Sequence, residues 1–342
     1  MHVLSSPLGN LLISTVLLAA LFPIVARFFR STWKQLDDTA AADRAAASPG
    51  DRLALRAPVT FVLAALSLLF INYFGSRDFF TNSIFPLLCK FGDAHPGVLH
   101  LDYFDDLYWR VYWGISRYAA YVLPIFVWPF VFKKESPLDF GLRARGFREH
   151  AWIYVLCLIV IIPVVYVVSF LPDFHTYYPM YQSAGRSWVD FLVWEAIYIG
   201  QFLALEIFFR GFFLRGARAL GTSAIFAMIV PYVMIHFPKP YLEACGAIVA
   251  GIVLGSLSMQ TGSIWAGFLV HSTVAILMDV LALERGTGMP KRLTPTSQPI
   301  YAFTHGTAVL WTIWGGAVVA FAFLIRRHRK PRPAPMKRRG RR

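Results

Sequence analysis

Charge is scarce in this chain: Asp, Glu, Lys and Arg make up 15% of 342 residues, against about 25% in a soluble domain. So low a share excludes an ordinary soluble enzyme and a disordered, charge-solvated chain. Cysteine is nearly absent, with Cys89, Cys157 and Cys245. Three thiols cannot form an even framework, and their spacing matches no zinc motif, so neither disulfide nor cysteine–metal chemistry is expected. Acidic residues are the rarer sign, 19 against 33 basic, which leaves a net charge of +14. In a soluble chain that excess would suggest nucleic acid. Here ten Lys and Arg residues follow Ile325, so the tail reads as an orientation signal, compatible with contact to anionic lipid. No nucleic-acid partner is expected.

Apolar residues are plentiful, at 57%, with a mean hydropathy of +0.53. They gather into runs near the ~20 residues that a bilayer requires. The runs cover about Leu8–Val25, Ala57–Phe74, Trp113–Phe132, Ala151–Leu171, Val189–Leu214, Thr222–Phe237, Glu243–Met259, Ser263–Leu283 and Thr307–Ile325. The expected fold is an all-α polytopic transmembrane helix bundle of eight or nine spans, the short sixth run being the one that could be re-entrant. An Ala/Asp/Ser-rich connection to Arg56 reads as solvated and loosely ordered, and a long aromatic loop separates the second and third runs. Three regions follow: N-terminal helices and loops over 1–187, a core over 188–283, and a loop, last helix and basic tail over 284–342. Basic residues cluster after alternate runs, which puts the tail after Ile325 in the cytoplasm and Met1 on the far side. The localisation expected is a multi-pass protein of a bacterial plasma membrane.

Ionisable residues inside such runs are costly, roughly 2.5–3.5 kcal/mol each on insertion scales, and they usually face a bundle interior. Glu206 and Arg210 stand four residues apart in Leu205-Glu206-Ile207-Phe208-Phe209-Arg210-Gly211. They share a helix face and can pair, either to lock helices together or to build a site. Glu195, Tyr198, Phe202 and Glu206 continue one polar and aromatic stripe at spacings of three and four. Tyr232 precedes His236 by four residues near the end of the sixth run, and His271 lies inside the eighth. At the helical rise of ~1.5 Å per residue, Glu206 and His236 come to similar depth, whereas His271 falls nearer the opposite end of that axis. Tilted or bent helices would still gather all three.

The order of a Glu-x-x-x-Arg-Gly helix, an aromatic-x-x-x-His helix and a final histidine helix resembles the CPBP intramembrane proteases. That family includes the CAAX prenyl endopeptidases and bacteriocin-processing proteins. The resemblance covers Trp188 to Leu283 and rests on Leu-Glu-Ile-Phe-Phe-Arg-Gly, His-Phe-Pro-Lys-Pro and Gly-Ser-Ile-Trp-Ala-Gly-Phe-Leu-Val-His. It implies a peptidase in which glutamate and histidine activate water, while histidine and asparagine stabilise the oxyanion. Two departures stand out: the first of the family's paired glutamates is Leu205, and the asparagine position is Ala275. Glu243, seven residues beyond His236, and Asp279, eight beyond His271, are the other carboxylates at hand. The expected catalytic set is therefore Glu206, His236, His271 and Glu243, oriented by Arg210, Tyr232 and Asp279. No cofactor is expected; a divalent metal, if one took part, would fall to His236, His271 and Glu206 but is not favoured. The substrate expected is a membrane protein or lipidated peptide met in the lipid bilayer. An inactive relative that binds such a substrate or a partner protease, and an ion-conducting transporter, are the alternatives.

Overall fold

A backbone in lipid finds no water to bond, so each apolar run closes its own hydrogen bonds as a helix. The computed structural model describes residues 7–48, 51–133, 135–143, 150–295, 301–302 and 306–329. Its principal helices are α1 (Pro7–Ala46), α2 (Arg56–Tyr73), α3 (Phe85–Ala94), α4 (Leu101–Val131) and α5 (Ala151–Val168). They continue with α6 (Trp188–Glu206), α7 (Ser223–Met234), α8 (Tyr241–Thr261), α9 (Trp265–Arg285) and α10 (Gly306–Arg329). Two-residue strands, β1 (Met289–Pro290) and β2 (Tyr301–Ala302), pair antiparallel in the last connection. Seven helices among the described residues are long and apolar enough to cross a membrane, and α7 and residues 310–326 of α10 are shorter apolar helices. The chain is thus an all-α, multi-pass bundle. The basic tail over 330–342, on which the orientation expectation rests, lies outside the described residues.

Two expectations need correction. The connection after the first run is helix, not loose chain, as far as Ala46. Its alanines favour helix, and its polar side chains find partners: Thr222 donates its backbone N–H to Asp37 at 2.7 Å, and Arg44 donates to the Ala219 carbonyl. The aromatic loop between the second and third runs is also largely helical, with Ser76 capping a short turn that leads through a π segment (Phe80–Ile84) into α3. The third run begins earlier than its apolar stretch, at Leu101, and stays helical through Pro124 and Pro129.

The core sits where α4 packs along α6. Tyr121, Trp128, Phe208, Phe209 and Phe212 meet there, all at most 2% exposed. One end of this core is closed by a charge cluster. Arg56, buried on α2, donates to both Glu135 oxygens at 2.5 and 3.1 Å, Trp128 Nε1 donates at 2.8 Å, and Arg218 lies 3.5 Å away. Burial alone would push the Glu135 carboxyl up, but the hydrogen bonds and charge of Arg56, with Trp128 and Arg218, hold it below the usual carboxylate range. A depressed carboxylate stabilises the fold fully above its unfolded pKa and loses that contribution as pH falls through its folded one. Thermal stability in detergent should therefore be level above about pH 5.5 and decline below about pH 4.3. Glu135→Gln should flatten that acid limb, and an unchanged acid slope in the variant would sink the assignment.

Candidate active site

α6 begins at Ser187, whose hydroxyl accepts the Asp190 N–H at 3.1 Å, and ends as an α-helix at Glu206. The next seven residues, Ile207–Phe213, form a π-helix, a wider turn with i to i+5 bonding that is frequent at functional sites. Gly211 permits this path, since a Cβ there would come 2.5 Å from the Phe140 carbonyl oxygen. The widened turn places Glu206 and Arg210 side by side, both wholly buried.

One oxygen of Glu206 does most of the bonding. His271 Nδ1 donates to Oε1 at 2.7 Å, and Arg210 Nη1 lies 3.2 Å from the same atom. No guanidinium nitrogen of Arg210 has a hydrogen bond among the described residues, so the 3.2 Å contact is a charge pair without hydrogen-bond alignment. Its second support is the ring of Tyr232, whose centre lies 4.2 Å from the guanidinium carbon. Glu206 Oε2 has no hydrogen-bond partner among the described residues and rests against Gly267 on α9, where a Cβ would meet it at 2.3 Å.

The two histidines meet at Tyr232. Its hydroxyl lies 2.9 Å from His271 Nε2, while its carbonyl accepts from His236 Nδ1 at 2.7 Å. A neutral imidazole carries one N–H, so the network assigns it to Nδ1 in both rings. His271 Nε2 then accepts from Tyr232, and His236 Nε2 is left as a half-buried acceptor with no hydrogen-bond partner among the described residues. Phe202 stacks on the His271 ring at 5.3 Å and fixes its plane.

Of the residues singled out in the sequence, the structure gathers Glu206, Arg210, Tyr232, His236 and His271. Glu243 does not join His236: it pairs with Lys239 at 2.6 Å and accepts from the Tyr178 hydroxyl at 2.9 Å. The turn between His236 and Glu243 also supplies Lys239, an opposite charge four residues before Glu243. Asp279 also bonds elsewhere, accepting from Trp194 Nε1 at 2.6 Å and the Met180 N–H at 3.3 Å, within electrostatic reach of Glu195. Leu205 and Ala275 are buried in apolar clusters and bring no polar atom to either departed position. Gly267 and Tyr178 were not legible as site residues; the only sequence signal for Gly267 was its place four residues before His271.

Both ring nitrogens of His271 are engaged, and among the described residues no three His, Cys, Asp or Glu side chains converge as a ligand set.

Residues 187–277 match a family model described as type II CAAX prenyl endopeptidase Rce1-like. The comparisons with curated proteins and with solved structures find no match. The matched stretch opens at the cap of α6 and closes within α9 beyond His271, so it contains the whole Glu206–His271–Tyr232 cluster and His236, but not Asp279. Residues 187–277 are thus similar to the type II CAAX prenyl endopeptidases, which supports the resemblance of the same stretch to the CPBP intramembrane proteases.

Proposed function

We propose that the chain is an intramembrane endopeptidase that cleaves a membrane-associated or lipidated protein with a histidine-activated water. The observation that carries this reading is the arrangement of His271 and His236 about Tyr232, with Glu206 behind His271, inside the Rce1-like segment. His236 Nε2 is the base: its Nδ1–H is held by the Tyr232 carbonyl, so its lone pair is fixed to take a proton from water. Glu206 acts differently from the sequence expectation. With Oε1 engaged by His271 and Arg210, it is a positioning residue that holds His271 in one tautomer. Tyr232 donates its hydroxyl to His271 at rest and turns that donor to the oxyanion as the tetrahedral intermediate forms, with the Arg210 charge behind its ring. His236 then returns the proton to the leaving amine.

This scheme supplies the base that Leu205 cannot, and it uses Tyr232 where an asparagine would have followed His271. The test is a peptidase assay with co-expressed membrane substrates bearing lipidated tails. Wild type should release the tail. His236→Ala should lower turnover about 10²–10⁴-fold, the usual loss of a general base. Tyr232→Phe should lower it about 10²–10³-fold, as for one oxyanion donor, with KM little changed. Turnover by His236→Ala equal to wild type would sink the base assignment. No turnover by wild type on any such substrate would sink the peptidase reading and leave a substrate-binding relative.

A further inference from the structure

Two grooves outside the site adjoin along α1. One is open and follows a single face of the helix, lined by Arg27, Arg30, Trp33 and Lys34. The other is an apolar cleft between α1 and α8, walled by Phe22 and Val25 on one side and by Ile248 and Ile252 on the other. Lys34 is already engaged by Asp38 at 2.6 Å, and Asp37 accepts the Thr222 N–H. Arg27 and Arg30 are exposed and have no ion pair or hydrogen bond among the described residues, and their spacing of three puts both guanidinium groups on one face. Trp33 lines the basic groove beyond Arg30 and is tied to α8 by a 2.9 Å hydrogen bond from Nε1 to Ser256 Oγ. Tryptophan settles at headgroup level in a bilayer. Eight residues, or ~12 Å of helix, separate Phe22 from Arg30, less than the length of an acyl chain.

We propose that the two grooves form one site for an anionic phospholipid, its phosphate held by Arg27 and Arg30 and an acyl chain lying in the α1–α8 cleft. Charge selects the class. Two unpaired guanidinium groups welcome a headgroup of net negative charge, and a zwitterionic headgroup brings its own cation against them. The site is separate from the Tyr232 cluster and does not depend on the peptidase reading.

Native mass spectrometry of the full chain released from detergent tests this with three probes: phosphatidylglycerol, phosphatidylcholine and glycerol phosphate. Phosphatidylglycerol should be retained roughly ten- to thirty-fold more than phosphatidylcholine, the preference that two basic residues near a membrane surface supply. Arg27→Gln with Arg30→Gln should bring its retention down to the phosphatidylcholine level, while Arg27→Lys with Arg30→Lys should keep most of it. Both arginines are exposed, so the double variants should unfold at the wild-type temperature. Ile248→Trp, which fills the cleft, should weaken retention of phosphatidylglycerol with the arginines intact. Equal retention of the two lipids, or wild-type retention by the double glutamine variant, would overturn the proposal. Competition by glycerol phosphate at equal concentration would also overturn it, because a headgroup alone would then suffice.

Discussion

Gly267→Ala is expected to cripple the candidate site with a single methyl group. A Cβ at this position would stand 2.3 Å from Glu206 Oε2 and 3.0 Å from its carboxyl carbon. The first is closer than real Cβ contacts come and the second is tight, and Glu206 cannot swing aside freely. It is wholly buried, and its other oxygen is held by His271 and Arg210. Either α9 moves away from α6 or the carboxylate rotates and His271 loses its acceptor. Overpacking of this kind costs about 1–3 kcal/mol. The larger effect should be on turnover, since a misplacement of ~1 Å in a catalytic constellation costs about 10²-fold. Thermal unfolding and the tail-release assay read the two separately. A variant with wild-type turnover and wild-type unfolding temperature would show that Glu206 does not rest on α9.

Arg210→Ala should be the most destabilising single change in the domain. It removes the charge that faces Glu206 and leaves a carboxylate in the bundle with only a neutral imidazole for support. Breaking a buried ion pair from one side costs about 3–5 kcal/mol, because the remaining charge is left without its counter-ion. The Tyr232 ring loses its cation in the same step, so the loss reaches the hydroxyl that contacts His271. Arg210→Lys should recover part of the stability but less of the activity, because an ammonium does not reproduce a planar guanidinium lying over an aromatic face. Folded yield and unfolding temperature in detergent measure the first effect. Wild-type values for Arg210→Ala would mean that the pair contributes nothing.

The helices were legible because lipid leaves the backbone few alternatives, and runs of apolar residues announce that solvent directly. The Glu206–Arg210 pair was legible for a similar reason, since four residues bring two side chains to one face in either an α or a π turn. What could not be read was distance across helices. By rise alone His271 belonged nearer the opposite end of the axis, yet it touches Glu206. A straight-helix rise ignores that the chain changes to a π turn at Ile207 and to a 3-10 turn at Arg218, and that α7 has only 12 residues. Partner choice was equally hidden. Glu243 was close to His236 in sequence, but nothing in the spacing showed that Lys239 and Tyr178 would take both of its oxygens. Gly267 is the extreme case, because its role is the absence of an atom beside a side chain 61 positions earlier.

The π segment over Ile207–Phe213 has a consequence for chain length. A π turn holds about one residue more than the α turn that could replace it, so this stretch is an insertion that the helix has absorbed without breaking. Excising one residue between Ile207 and Phe209 would let the α ladder close, with Glu206 and everything before it still in place. Residues beyond the segment would keep roughly their places, because the wider turn already absorbs the extra residue. Within the segment the spacing of Glu206 and Arg210 would fall from four residues to three, which keeps them on one face but moves the guanidinium relative to the carboxylate and the Tyr232 ring, although no functional side chain had been changed. A chain one residue shorter at this point would read as the same membrane helix and yet meet Glu206 with a differently placed guanidinium.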